Sequence, residues 1–401
     1  MGEMANGKGA PAPESAQSRI GELVGDLAAR RMSRREFVHR AALLGISASA
    51  IGAILSACGG KSTTASESPE AKVTETTLPK ELFIFNWSDY MSPNALKDFE
   101  SEYGVKVVQS FYDGNEELNS KLKLGAAGYD VIFPTDMWVS VLANSGLLVP
   151  LDMSLIPNFK YVTLPLMQKP PFDDESDGNK YSVPYMFGST GVGRRTDKVA
   201  EVMTSWNMLW DEKYKGQITM LNAPRETLGA ALMRKGYSAN STDQSQLDEA
   251  TADLIEQKPL VMIYDSTNTR RNMVKGVPLV HCWDGDVALA MRETGEDAID
   301  YVLPSEGYIV WADGICIPKG GPSVYAAHLF LNFLLDPVNA AECANYIGYQ
   351  PVVTEAAQYI TDPIQKSMRP TDEELNAGQF AIDLAEFERN FADAWAQVKS
   401  A

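Results

Sequence analysis

A chain of 401 residues exceeds the size at which a single hydrophobic core stops growing, which points to at least two lobes. With 45% apolar and 22% charged residues, the composition excludes a mainly disordered, collagenous or multi-spanning membrane chain. Lys+Arg number 35 against Asp+Glu 53, and the formal net charge of −18 disfavours nucleic acid and suits a cationic partner.

The N-terminus carries an export signal. Five arginines fall between Arg30 and Arg40, and the run Ser33-Arg34-Arg35-Glu36-Phe37-Val38 has the twin-arginine pattern of paired arginines ahead of an apolar stretch. Ala41 to Ala57 then runs 17 residues without a charge, at the lower edge of what spans a bilayer, and Gly45, Gly52 and its serines weaken a membrane helix further. Leu55-Ser56-Ala57-Cys58 resembles a lipoprotein box, which implies a signal peptide over 1–57 and a lipid-modified Cys58 as the mature first residue. Removing those 57 residues, net +2, takes the charge of −18 to −20. Of the next segment, Ser62 to Leu78, eight of 17 residues are Ser or Thr, so 58–79 reads as a flexible tether. The lipid on Cys58 would hold the protein to the outer face of the cytoplasmic membrane.

Strands then alternate with helices. Leu82–Phe85 reads as strand, Pro93–Tyr103 as helix, Val105–Val108 as strand, Glu116–Leu124 as helix, Asp130–Phe133 as strand and Trp138–Asn144 as helix. The pattern resumes with a strand at Ile218–Leu221, a helix at Thr227–Lys235 and strands at Leu260–Ile263, Leu279–Cys282 and Gly314–Ile317. Helices at Val324–Leu335 and Asn339–Ile347 follow. Such alternation predicts an α/β fold with mostly parallel sheets flanked by helices, which binds ligands beyond the carboxyl ends of its strands. Aromatic and acidic residues gather at those ends: Asn86 to Tyr90, Thr135-Asp136, Asn222 to Glu226, and Trp283-Asp284-Gly285-Asp286.

Catalysis finds little support. After Cys58 only His281 and His328 remain, and His328 lies in an apolar helix where a packed, hydrogen-bonded role is expected. There is no nucleophile elbow, P-loop or zinc-protease motif. Cys282, Cys316 and Cys343 can form at most one disulfide and show no metal spacing, so buried thiols are expected and no metal or cofactor is. Trp206 and Trp210, at helical spacing, are read as packing residues. Carboxylates and rings without a base or nucleophile can hold an organic cation. Each ring contributes about 0.5–2 kcal/mol and each charge-assisted hydrogen bond about 1.5–3 kcal/mol.

The motifs Asn86-Trp87-Ser88-Asp89-Tyr90, Tyr129 to Thr135 and Tyr181-Ser182-Val183-Pro184-Tyr185 resemble the spermidine/putrescine-binding proteins of ABC importers. So do Ser205-Trp206 through Tyr214-Lys215-Gly216, Trp283 to Asp286, Trp311-Ala312-Asp313 and Ile347-Gly348-Tyr349, in order from about Leu82 onward. The resemblance implies a two-lobed type II periplasmic-binding-protein fold closing over its ligand, with crossovers near Phe187-Gly188 and Ala312-Asp313. Lobe 1 would comprise 80–187 and 313–352, lobe 2 188–312 and 353–401. It also implies an aromatic box of Trp87, Tyr90, Trp283, Trp311 and Tyr349, amine-holding carboxylates Asp89, Glu226, Asp286 and Asp313, and a hydroxyl contact from Thr135. The implied function is capture of putrescine or spermidine by a monomer and delivery to a membrane permease. A binding protein for another organic amine, such as a choline-like compound or an amino sugar, is the alternative within the fold, and a carboxylate-based surface hydrolase the alternative outside it. Two departures bear on ligand length. Met137 stands where spermidine-type members have tyrosine, and Ala223 where they have aspartate, which implies that putrescine binds at least as well as spermidine.

Because the tether has no other apolar anchor, Cys58→Ala is expected to release the protein from membranes or stall its processing. Detergent partitioning of cell fractions checks this, and full membrane retention of a processed Cys58→Ala protein would contradict the lipid anchor.

Overall fold

The computed structural model describes residues 73–401 apart from 126–127, 174–177, 363–364, 366–367 and 369. The signal peptide and Cys58 therefore lie outside the described residues. Residues 73–79, the end of the expected tether, have no regular secondary structure, and the Val73 amide donates to Asp152 Oδ2 at 3.2 Å.

The chain opens with strand β1 (Glu81–Trp87), helix α1 (Pro93–Tyr103), β2 (Lys106–Tyr112), α2 (Asn115–Lys123), β3 (Val131–Ile132) and α3 (Asp136–Asn144). Local chemistry sets the limits of α1. Ser92 accepts from the Asn94 amide, Pro93 takes the first turn where no amide is needed, and Gly104 closes the helix at φ 68. A long strand, β4 (Ser182–Arg195), comes next. It leads to β5 (Ile218–Met220), α4 (Pro224–Arg234), α5 (Gln244–Gln257), β6 (Val261–Tyr264), β7 (Leu279–Trp283) and α6 (Asp284–Thr294). The last elements are β8 (Ile299–Val302), β9 (Ile309–Cys316), α7 (Val324–Leu334), α8 (Pro337–Ile347), β10 (Gln350–Pro351) and α9 (Glu388–Ser400).

These strands form one sheet in the order β2-β1-β3-β9-β4-β7-β5-β6, with β8 and β10 added on β4. Pairing is parallel within β2-β1-β3 and within β7-β5-β6, as strand–helix alternation predicts. The centre is antiparallel. β4 pairs β9 from Ser182 to Thr190 and β8 from Val192 to Arg195 along one edge, and on the other it pairs β10 at Met186–Phe187 and β7 from Thr190 to Arg194. The partners β10 and β7 thus leave β4 unpaired on that edge at Gly188-Ser189. Across β9, Phe187 faces Ala312 and Gly188 faces Trp311.

β4 is buried along almost its whole length. Sequence periodicity misses it because Pro184, Gly188, Gly191 and Gly193 dilute the apolar pattern. The absence of side chains is what lets its neighbours approach. A Cβ on Gly191 would lie 2.4 Å from the Val302 carbonyl oxygen, a backbone atom that cannot turn away.

The tail divides. The turn at Thr354–Tyr359 packs on α8, whereas α9 packs on α4 and α5, and Gln379 exchanges backbone hydrogen bonds with Tyr308 and Val310. Trp206 is fully buried and its indole donates to the Gly307 carbonyl at 2.8 Å, while Trp210 donates to Asp253 O, so both act in packing. His328 is held between the Asp152 amide and the Val324 carbonyl, at 2.9 and 2.7 Å. Cys282, Cys316 and Cys343 are all buried free thiols. Among the described residues no helix is long and apolar enough to cross a membrane.

Gly191→Ala forces β8 away from β4 and is expected to cost about 1–3 kcal/mol. Calorimetric melting of the variant against wild type checks this; unchanged stability would mean that β8 yields freely.

Candidate functional site

Three helices begin just past β3, β5 and β7, each with acids in its first turn: α3 with Asp136, α4 with Glu226, and α6 with Asp284 and Asp286. Acids there complement the helix dipole by about 0.3–1 kcal/mol each, a sufficient local reason for the position. β9 adds Asp313, whose backbone bridges that of Thr135 just ahead of α3.

Asp136, Asp284 and Asp313 are buried and Glu226 and Asp286 half-buried, and desolvation dominates the shift of each. Burial pushes Asp313 up to about 6 against hydrogen bonds from Tyr90 and Thr135, and Asp286 up to about 6 against Thr269 and the charge of Arg270. Burial likewise raises Asp284 to about 7, against the amides of Gly285 and Ser189, and lifts Asp136 well above its ordinary value. Glu226 is raised to about 7 by burial, and the facing Thr190 hydroxyl and Trp283 indole only partly oppose this. That opposition is weak, because neither Glu226 Oε2 nor Thr190 Oγ1 has a well-formed hydrogen bond. Among the described residues none of the five forms an ion pair. The nearest guanidinium groups are engaged elsewhere, Arg225 with Glu388 and Arg270 with Glu293.

Rings enclose these acids. The Tyr90 hydroxyl donates to Asp313 in a short hydrogen bond, and its ring meets Tyr349 edge-on at 6.0 Å. Tyr349 in turn stands perpendicular to Trp311, with centroids 4.9 Å apart. Tyr349 also lies so close over Gly285 that a Cβ there would sit 2.2 Å from the ring. Residue 349 precedes β10 and residue 285 follows β7, so this contact closes the unpaired gap in the β4 edge. The Asp284 carboxylate fills the gap itself, accepting from the Ser189 amide at 3.2 Å. The Trp311 indole N–H, on a residue only 6% exposed, has no acceptor.

Of the residues singled out by sequence, Tyr90, Thr135, Trp311, Asp313 and Tyr349 come together around β9, and Glu226, Trp283 and Asp286 join them from α4, β7 and α6. Trp87 stands behind, its indole donating to the Phe133 carbonyl at 2.9 Å and its ring against Tyr112 at 4.5 Å. Asp89 is not brought in. It is exposed in the turn before α1 with a left-handed φ of 55. Sequence reasoning passed over Asp136, Asp284, Tyr185, Ser189 and Tyr301 as site residues. Asp136 and Asp284 left a signal as acids beside chosen strand-end residues, and Tyr185 as the end of the motif Tyr181-Ser182-Val183-Pro184-Tyr185; Ser189 and Tyr301 left none. A cavity of about 720 Å³, lined by residues such as Arg194, Met203 and Met368, touches the cluster only through Ser189 and Tyr301.

The family of bacterial extracellular solute-binding proteins matches residues 94–370. The chain belongs to that family. As a solute-binding protein it is 36% identical over 291 residues to the putrescine/cadaverine-binding protein of Pseudomonas aeruginosa, covering 69% of this chain and 81% of that one. It is 33% identical over 325 residues to the spermidine/putrescine-binding periplasmic protein of Escherichia coli, covering 80% and 91%. Among solved structures, it is similar to the spermidine/putrescine ABC transporter substrate-binding protein PotD from Streptococcus pneumoniae. That match has a TM-score of 0.70 and 29% identity, over 80% of this chain and 99% of that one. The fold is the α/β fold of the periplasmic binding proteins, as expected from sequence.

The folded Asp284 carboxyl binds its proton more tightly than the unfolded one. It therefore contributes stability at low pH and loses it as pH rises from 3.8 through about 7. Asp284→Asn removes the cost of the buried charge. The variant is expected to gain on wild type by on the order of 4 kcal/mol at about pH 8, a gain that shrinks to roughly half that by about pH 5 and vanishes only below about pH 4. His281, lowered to about 3 by burial, and His328, also lowered, oppose this trend in both proteins and cancel in the difference. Chemical denaturation across that range checks the slope, and a pH-independent difference would place Asp284 in water.

Proposed function

We propose that this chain is an extracytoplasmic binding protein for polyamines, putrescine or spermidine, which it delivers to an ABC-transporter permease. The observation that carries the reading is the set of buried and half-buried carboxylates with no ion-paired cation among the described residues, walled by the edges and faces of Tyr90, Trp311 and Tyr349. An organic ammonium supplies the missing charge, and its methylenes lie against the rings. In this reading Asp313, Glu226 and Asp286 hold the amines, Thr135 adds a hydroxyl, and Trp87 and Trp283 extend the wall. Asp89, exposed in the turn before α1, is left out of the amine-holding set. The work is binding and release; no turnover is assigned.

The same reading divides the protein into lobes that meet at the antiparallel pair β4 and β9. One is built on β1–β3 with α7 and α8, and corresponds to 80–187 and 313–352. The other is built on β5–β7 with α4, α5 and α9, and corresponds to 188–312 and the part of the expected 353–401 that carries α9, since Thr354–Tyr359 packs on α8 of the first lobe. In the same reading the twin-arginine pattern and the Cys58 box support export and lipid anchoring at the outer face of the cytoplasmic membrane, and the protein acts as a monomer.

Putrescine or spermidine at about 100 times its dissociation constant is expected to stabilise the protein by roughly 2.7 kcal/mol, and betaine, arginine and maltose far less. Asp313→Asn should cost about 2–5 kcal/mol of polyamine binding by calorimetry. A sugar or amino acid that binds where no polyamine does would overturn the substrate class.

A further inference from the structure

Helix α6 starts with two acids of the cluster, Asp284 and Asp286, and packs on β4 and β8. It also lies against the end of α8 and the residues that follow it. A Cβ on Gly285 would sit 2.2 Å from the Tyr349 ring, and one on Gly348 would lie 2.9 Å from both the Gly285 carbonyl oxygen and Leu289 Cγ. Arg292 continues the same line. Positions 285, 289 and 292 recur at intervals of four and three residues, which puts them on one side of a helix.

The Arg292 guanidinium makes three separate attachments there. Its Nε donates to Asp362, Nη1 to the Asn345 carbonyl at 3.0 Å and Nη2 to Gln365 Oε1 at 3.1 Å. Asn345 lies in the last turn of α8, where carbonyls lack a partner within the helix and favour a cation. Gln365 is fully buried and passes the contact on, for its Nε2 donates to the carbonyls of Ala344 at 2.9 Å and Tyr349 at 2.7 Å. One side chain thus joins Arg292 to the backbone of Tyr349. An exposed ion pair alone contributes little, and the Arg292 side chain is 28% exposed. Three acceptors in fixed directions are a different case, because a planar guanidinium meets them with little loss of freedom per bond.

We propose that Arg292 is a positioning residue of the binding site: from the far end of α6 it clasps the segment that carries Tyr349 to the helix that carries Asp284 and Asp286, and so slows the escape of a bound amine. The inference rests on the polyamine reading above. In the lobe division of that reading α6 belongs to the second lobe and α8 with Tyr349 to the first, so the lobes part only when the three attachments break. Arg292 lies about 9 Å along the helix axis from Asp286 and acts through Tyr349, not on the ligand itself.

The test is the binding kinetics of putrescine and spermidine on wild type, Arg292→Ala, Arg292→Lys and Asp362→Asn, with calorimetry for affinity and melting of the ligand-free proteins for stability. In Arg292→Ala the bound polyamine should leave about tenfold faster, while association stays within about twofold of wild type. Arg292→Lys keeps the charge but not the planar fork, and its release rate should fall between the two. Asp362→Asn keeps the Asn345 and Gln365 contacts and should speed release by about threefold at most. A role in folding alone would lower the melting temperature and leave the release rate in place. If a polyamine binds wild type and Arg292→Ala releases it no faster, or loses affinity only through slower association, this inference fails and the polyamine reading stands. Should Arg292→Ala not fold, unchanged release from both Arg292→Lys and Asp362→Asn overturns the inference in the same way. If neither polyamine binds wild type, the polyamine reading itself fails.

Discussion

Carboxylates taken out of water without a cation for each are the constraint on which the rest of this site depends. Dehydrating an ionised acid costs several kcal/mol, and the helix dipole returns at most about one. Hydrogen bonds from Thr269, Tyr90 and the amides of Ser189 and Gly285 recover more, yet not enough to hold the acids at their ordinary pKa. Asp313 and Asp286 rise to about 6, Glu226 and Asp284 to about 7. In the proposed function this cost has a use, because the same arrangement attracts a multivalent cation. What weakens the fold locally is what makes the site selective by charge.

The sheet delivers these groups to one place. β4 carries neighbours from both halves of the molecule, with β9 along one edge and β10 and β7 along the other. The break between β10 and β7 leaves a backbone amide without a strand partner, and Asp284 takes it. Tyr349 and Gly285 then meet across the break, so that an aromatic ring and a helix N-terminus from distant parts of the chain share one contact. A strand ladder without that break would leave no room for either. The acids and rings of the site are in this sense features of the β4 pairing as much as of the loops that bear them.

Fold alone does not choose a ligand, because one architecture can host many sites. In the function proposed above the choice lies in side chains: acids without basic partners disfavour anions, and close aromatic edges favour methylene chains over hydroxylated rings. Arg225 and Arg270 lie nearby yet pair outward with Glu388 and Glu293, which keeps the interior field negative.

The sequence by itself determined the alternation of strands and helices, the parallel halves, and the gathering of aromatic and acidic residues at strand ends. It also set local limits such as those of α1, where Ser92, Pro93 and Gly104 satisfy or terminate the backbone with nearest-neighbour chemistry. Eight of the ten site residues singled out by motif converge on or immediately beside one cluster, because motifs at strand ends are carried there by topology. Only the tertiary structure decided that β4 is a 14-residue strand, since its Pro and Gly residues hide it from periodicity and its pairing is long-range. It also separated Asp89, exposed on a left-handed turn, from Asp136 and Asp284, buried at 3% exposure each, although all three read alike as acids after strands. Burial is a property of what packs over a residue from elsewhere in the chain, and no local pattern records it.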